Sequence, residues 1–477
     1  MKKILFAASE GNPFIKTGGL ADVVGALPKY LDKGKFDVRV ILPKYLCIPQ
    51  EIRQKMSHVT GFYADMPRGK EYIGIDKAKV EGITYYFIDN EHYFAGDSPY
   101  HEVFEDVNKF AFYSRAVLAS LSKIRFRADI IHCHDWQAAL IPVFLKEFYG
   151  QDPYFQKTKT ILTIHNQKFQ GRWKIDDIEN CRDLPPDCRY RAMEAYHETN
   201  FLKAGILYAD RVTTVSVTYA EEIQSQAGGE GLDGVMRKVA DKLSGIVNGI
   251  DIEEYNPMTD PMLPASFGEK RISGKKKDKK ELQRELGLRE DNSAMLIGIV
   301  SRLTEQKGFD LVNQIMEEML NTMNVQVAIL GTGEERYQES FRYFGQKYAD
   351  RVSATIGYSE KCAHKIYGGA DAFLMPSQFE PCGLSQLISM RYGTVPIVRE
   401  TGGLKDTVEA YNEIWQTGTG FSFANYDAKE MLMIIRYAYD VFQNHPKEWR
   451  KMMKRCMKAD HSWQSSAGNY EKLYQEL

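Results

Sequence analysis

Apolar residues along the chain fall into short unbroken runs, separated by polar loops and by stripes of helical period. The run at 4–8 leads through a glycine-bearing loop to Leu20, Val23, Val24, Leu27 and Leu31, which are spaced for one face of a helix. That is a β-loop-α unit. Runs at 37–42, 130–133 and 160–164 read as further strands, apolar without alternation, as a parallel sheet covered on both faces requires. The pattern restarts with a strand at 295–300, a polar loop at 301–308, a helix at 309–323 and strands at 325–330, 352–356 and 372–375. Two doubly wound α/β domains are expected, facing one another across a deep cleft. Ligands of such sheets bind beyond the carboxyl ends of the strands, so the loops there are the places to look for chemistry.

The character of the chain changes after Gly245. Asn248-Gly249-Ile250-Asp251 and Tyr255-Asn256-Pro257 are turn-forming, which places the connection near 246–265. The expected division is 1–245, 246–457 and a terminal segment 458–477. The basic stretch 270–280 lacks apolar periodicity and reads as a solvated loop before a helix, or as a site for an acidic partner.

Charge narrows the classes. Lys plus Arg number 62 against 64 Asp plus Glu in 477 residues, so there is no basic excess with which to coat a nucleic acid. No window is apolar for long enough to span a bilayer; even 130–145 is interrupted by His132, His134 and Asp135. The opening Met1-Lys2-Lys3 imitates an export signal, but its apolar run stops at Ser9-Glu10 and reads as a strand. The cysteines at 47, 133, 181, 188, 362, 382 and 456 are scattered, without zinc-type or thioredoxin-type spacing, which fits a reducing cytoplasm.

Four constellations carry candidate chemistry. Thr17-Gly18-Gly19-Leu20-Ala21-Asp22-Val23-Val24 is echoed by Thr401-Gly402-Gly403-Leu404-Lys405-Asp406-Thr407-Val408, both of the form Thr-Gly-Gly-Leu-x-Asp-x-Val. Paired glycines before a helix let backbone approach a ligand, and the helix N–H groups favour an anion; an isolated pair reads first as a plain turn, but Lys16 beside the first copy suits a diphosphate. The second is the loop 301–308, in which Arg302 and Lys307 can converge on one phosphate. In the third, Glu380-Pro381-Cys382-Gly383-Leu384-Ser385, the carboxylate can accept from sugar hydroxyls and the amides can hold an oxygen. An acid that merely complements a helix dipole is the plainer reading. The last comprises two strand ends, His132-Cys133-His134-Asp135-Trp136 and His165-Asn166. Zinc comes to mind, but the spacing is wrong and His132 and His134 are expected to point to opposite sides, so a polar sugar pocket is the better reading. Trp136 is either a core anchor or a stacking face. No Asp-x-Asp triplet occurs, so cations and amides must offset any leaving-group charge.

Taken together, Lys16-Thr17-Gly18-Gly19-Leu20-Ala21-Asp22-Val23, the Arg302 and Lys307 loop and Glu380-Pro381-Cys382-Gly383-Leu384 resemble bacterial glycogen synthases and plant starch synthases over essentially the whole chain. The resemblance implies two Rossmann-like domains of GT-B type. It also implies a retaining transfer of glucose from ADP-glucose to the non-reducing 4-hydroxyl of an α-1,4-glucan, without metal or other cofactor. By the same carry-over Lys16, Gly18 and Gly19 hold the diphosphate and glucose, and Arg302 and Lys307 the departing phosphate. Glu380 steadies an oxocarbenium-like transition state, and His165 with its carbonyl lines the anomeric carbon. Asp22, Asp135, Asn166, Asn248, Cys382, Gly383, Leu384 and Ser385 are implied substrate contacts, Tyr358 lies against adenine and Tyr93 approaches the sugar. The resemblance places the first domain on the glucan side, the second on the nucleotide side, and has the segment from about 462 onward cross back, with a hinge near 246–250 and 456–460.

Two positions depart from the wider pattern. Ser385 stands where Thr is common, and Ile388 replaces the second Glu of many related retaining transferases. A transferase using UDP-glucose stays open on these residues. A phosphorylase would need a pyridoxal phosphate lysine, for which no specific signal is present. A non-catalytic glucan binder has no use for a phosphate clamp, and Gly11-Asn12-Pro13-Phe14 lacks the Gly-x-Gly-x-x-Gly of a nicotinamide site.

Overall fold

The computed structural model describes all 477 residues, and the chain divides into two compact units, Met1–Ile246 with Trp463–Leu477, and Val247–Ser462. The first is built on a nine-stranded sheet: β1 (Lys2–Ala7), β2 (Phe36–Pro43), β3 (Ser57–Met66), β4 (Gly69–Val80), β5 (Ile83–Asp89), β6 (Ile130–His134), β7 (Lys159–Ile164), β8 (Arg211–Thr214) and β9 (Leu243–Gly245). Their order across the sheet is β9-β8-β7-β6-β1-β2-β5-β4-β3. Strands from β9 to β5 run parallel, and β4 and β3 close one edge antiparallel. Because the chain winds from β1 outward through β2 to β5 and then restarts at β6 on the other side, the sheet reverses between β1 and β6. That crevice is where a doubly wound sheet receives ligands.

The hairpin β3 and β4 is absent from the sequence reading. β3 alternates between exposed and part-covered residues over 61–65, and β4 is covered in a row only over 73–76, where Gly74 and Asp76 interrupt the apolar run, so neither reads as an unbroken apolar strand. The last helix, Trp463–Glu476, belongs to this unit. Its Tyr474 is buried, with the hydroxyl 2.8 Å from His132 Nδ1 and the carbonyl accepting from Lys2 Nζ at 2.7 Å. Residues 458–462, expected to begin the crossing, stay with the second unit, where Ile250 donates its N–H to the His461 carbonyl at 2.8 Å.

The second unit has six parallel strands, β10 (Met295–Val300), β11 (Val325–Gly331), β12 (Val352–Ile356), β13 (Ala372–Met375), β14 (Val395–Arg399) and β15 (Phe421–Phe423). Their order is β12-β11-β10-β13-β14-β15, which reverses between β10 and β13. The lysine-rich stretch is not a solvated loop: Lys275–Glu285 is a helix, and Lys275 and Lys279, one turn apart, are both buried. Lys275 Nζ donates to the carbonyls of Gly368 (2.8 Å) and Tyr392 (3.1 Å) and to the Thr394 hydroxyl (2.6 Å), and burial pushes its pKa down to about 7. Lys279 pairs with Asp371 at 2.7 Å. Long side chains on one helical face can hide their stems and still satisfy the ammonium, which composition alone does not reveal.

Candidate active site

In the first unit the loop after β1 is held from beneath by Glu10, which the sequence reading did not single out. Its buried carboxylate accepts from the Thr17 N–H (2.5 Å), the Thr17 hydroxyl (2.9 Å) and the Tyr100 hydroxyl (3.0 Å), while burial, the larger influence, raises its pKa. Thus pinned, the chain presents Lys16 and Gly19 to solvent. Lys16 Nζ lies 2.6 Å from Asp22 Oδ1, so Asp22 orients the cation; burial raises the pKa of Asp22 against that pairing. Helix Gly19–Tyr30 begins without a side-chain cap, leaving first-turn N–H groups available to an anion.

Adjacent strand ends bring the third element in. β6 and β7 are neighbours, so Asp135 and His165 meet although 30 residues separate them: Asp135 Oδ1 accepts from the His165 N–H at 2.7 Å and the Asn166 N–H at 3.4 Å. Burial pushes the Asp135 carboxyl up to about 7 in spite of these donors, and its backbone sits in the left-handed region at φ 55. His132 and His134 do not point to opposite sides. Residues i and i+2 of a strand share a face, and the rings stack with centroids 4.3 Å apart. His132 spends one nitrogen on Tyr474 and the other on Thr163 at 2.6 Å, while His134 Nδ1 faces His165 Nε2 at 3.0 Å. Burial pushes His132 and His165 down to about 3, so both imidazoles are neutral in this row. Trp136 is a core anchor: it is buried edge-on against Phe110 at 5.2 Å. Tyr93 stacks on Phe112 at 4.1 Å, with its hydroxyl donating to Glu71 and accepting from Asn180, each at 3.1 Å.

In the second unit the neighbouring strands β10 and β13 bring two distant loops together at the point where the sheet reverses. Lys307 Nζ contacts Glu380 Oε2 at 2.6 Å, and Ser377 donates its hydroxyl to the same oxygen at 3.0 Å. Gly308 must be glycine, since its φ is +75 and a Cβ would lie 2.1 Å from the Pro376 carbonyl oxygen. Arg302 is exposed at the start of the same loop. Cys382 is buried, with its thiol pushed up to about 12 by burial, and Asn248 hydrogen-bonds to its sulfur. Gly383, at φ +72, and Leu384 lead into helix Ser385–Arg391, while Gln386 Nε2 ties the turn by donating to the Cys382 and Gly383 carbonyls, each at 3.0 Å. Ser385 Oγ is 3.1 Å from the Tyr367 hydroxyl, and Tyr358 stands exposed on the loop after β12.

Two doubly wound units, each with cations or free amides where its sheet reverses, have the architecture of a two-domain GT-B glycosyltransferase, and comparison with known proteins gives the same class. Residues 3–238 match the starch synthase catalytic domain family and residues 278–454 the family of glycosyl transferases group 1. A glycogen synthase of Lachnospira eligens is 57% identical with all of both chains covered, and one of Lachnoclostridium phytofermentans is 53% identical over the same extent. Among solved structures, the catalytic domain of starch synthase IV from Arabidopsis thaliana, bound to ADP and acarbose, superposes with a TM-score of 0.91 at 33% identity, covering 100% of this chain and 99% of that one. A sucrose-phosphate synthase of Thermosynechococcus elongatus shares the fold, with a TM-score of 0.63 at 16% identity and the same coverage. The chain belongs to the glycogen synthase family and is a hexosyltransferase. No helix is long and apolar enough to cross a membrane.

Proposed function

We propose that the protein transfers glucose from ADP-glucose to the non-reducing 4-hydroxyl of an α-1,4-glucan with retention of configuration, in glycogen synthesis. The observation that carries this reading is the contact between Lys307 and Glu380: a buried carboxylate held by a cation where the second sheet reverses. The carboxylate accepts from the transferred glucose and steadies positive charge at its anomeric carbon, while Lys307 and Arg302 offset the charge growing on the departing ADP. Lys16 and the amides of Gly18 and Gly19 act on diphosphate and glucose, and the carbonyl of His165 faces the anomeric centre. Asp135, Asn166 and Asn248 contact glucose and acceptor, and Asp22 keeps Lys16 in place. Tyr93 approaches the sugar. The exposed ring of Tyr358 takes the adenine, and the turn from Cys382 to Ser385 holds phosphate or sugar oxygens. In this reading the first unit serves the glucan and the second the nucleotide. All seven cysteines are free, in keeping with work in the cytoplasm.

The donor test is direct. With glycogen as acceptor and labelled ADP-glucose or UDP-glucose offered side by side, label should enter polymer from ADP-glucose in preference. Preferential transfer from UDP-glucose would overturn the donor assignment, and no transfer from either would overturn the reading itself.

A further inference from the structure

We propose that Glu254, Glu360 and His364 form a structural site for one divalent cation, with zinc the ion that suits their chemistry. His364, in helix Glu360–Gly369, is 2% exposed, yet its Nε2 has no hydrogen-bond partner. A buried polar atom left in that state is unfavourable unless a ligand takes it. Nδ1 is already committed, lying 2.7 Å from Asp260 Oδ2, which also accepts from the Tyr392 hydroxyl at 2.6 Å. Tyr255 stacks on the imidazole at 5.2 Å and fixes its plane. A carboxylate on one ring nitrogen is how metal-binding histidines set their tautomer and aim the other nitrogen.

Glu254 and Glu360 supply the remaining protein ligands: one atom from each of the three residues lies within 4.8 Å of the others. Tetrahedral zinc, with bonds of about 2.0–2.2 Å, wants ligand atoms about 3.4 Å apart. Both glutamates are exposed, so closing that gap falls to their side chains. One imidazole and two carboxylates, with water in the fourth position, suit zinc better than magnesium or calcium, which favour all-oxygen shells. The ion would clip the segment around residue 254 to the start of the helix that follows Tyr358. It serves no step of the transfer.

The test is calorimetric titration of the full, chelator-stripped chain with zinc chloride alone, run beside magnesium chloride. Wild type should bind one equivalent of zinc and melt at a higher temperature with it. The double variant Glu254→Gln/Glu360→Gln, altered only at exposed positions, should bind at least about tenfold more weakly and lose the shift in melting temperature. His364→Gln, checked for folding by circular dichroism, should behave alike. Absence of zinc binding to wild type, or equal affinity in the double variant, would overturn the site. Equal affinity for magnesium would overturn the choice of ion.

Discussion

The two copies of Thr-Gly-Gly-Leu-x-Asp-x-Val use the same glycines for different ends. In the first, a Cβ on Gly18 or Gly19 would meet nothing within 4 Å, and the loop borders open space above an uncapped helix. In the second, a Cβ on Gly402 would lie 2.0 Å from the Glu380 carbonyl oxygen and one on Gly403 2.0 Å from that of Cys382. Gly403 also donates its N–H to the Glu380 carbonyl at 3.1 Å. Backbone borders open space in one unit and another stretch of backbone in the other. The ligand reading, tied in the sequence to Lys16 beside the first copy, therefore stays a proposal for that copy, while the second is the plain turn, a support under the Glu380 turn. An internal echo in sequence preserves a local geometry, and what that geometry faces decides its use.

Substitutions can break this contrast, the largest effect first. Gly403→Ala should cost about 3 kcal/mol or more, seen as a lower melting transition of the second unit by calorimetry, with most activity lost, because neither the Glu380 turn nor the helix can yield 1 Å. Gly19→Ala should leave melting within about 0.5 kcal/mol of wild type yet lower kcat/KM for the donor about tenfold, since the added methyl meets only ligand. Acid should also bear on the buried histidines of the first unit. His132 is neutral when folded, with a pKa of about 3 against 6.5 when exposed, so the unfolded chain binds the extra proton between those values and stability falls as pH drops through that window. Each such histidine should weaken the first unit's melting by about 1.4 kcal/mol per pH unit, opposed between about pH 7 and 3.8 by the raised Asp135 carboxyl, and His132→Gln should remove one histidine's share of the slope. Cys382→Ser should change turnover by no more than about threefold, since a thiol with a pKa of about 12 remains neutral at working pH and the assigned contact is its amide.

Much of this was legible in the sequence for a physical reason: strands covered on both faces announce themselves as unbroken apolar runs, and chemistry follows their carboxyl ends. Strand 295–300, helix 309–323 and the loops bearing Lys307 and Glu380 are where that reasoning put them, with the helix ending at Thr322. What was hidden depends on long-range pairing. β3 and β4 offer no unbroken apolar run, Lys275 and Lys279 bury charge by helical spacing, and Glu10 matters only because it lies under Thr17 and Tyr100. The stacking of His132 on His134 was misread although the period-2 rule for strands already required it.

The central claim is that a cation-held carboxylate in the second unit carries the transfer. It is tested most directly by the initial rate of glucosyl transfer from ADP-glucose to glycogen for wild type, Lys307→Ala and Glu380→Ala, each checked by its melting curve. Each folded variant should lose about 10²-fold or more in kcat, as expected for one preplaced transition-state contact. Losses of tenfold or less in both would contradict it.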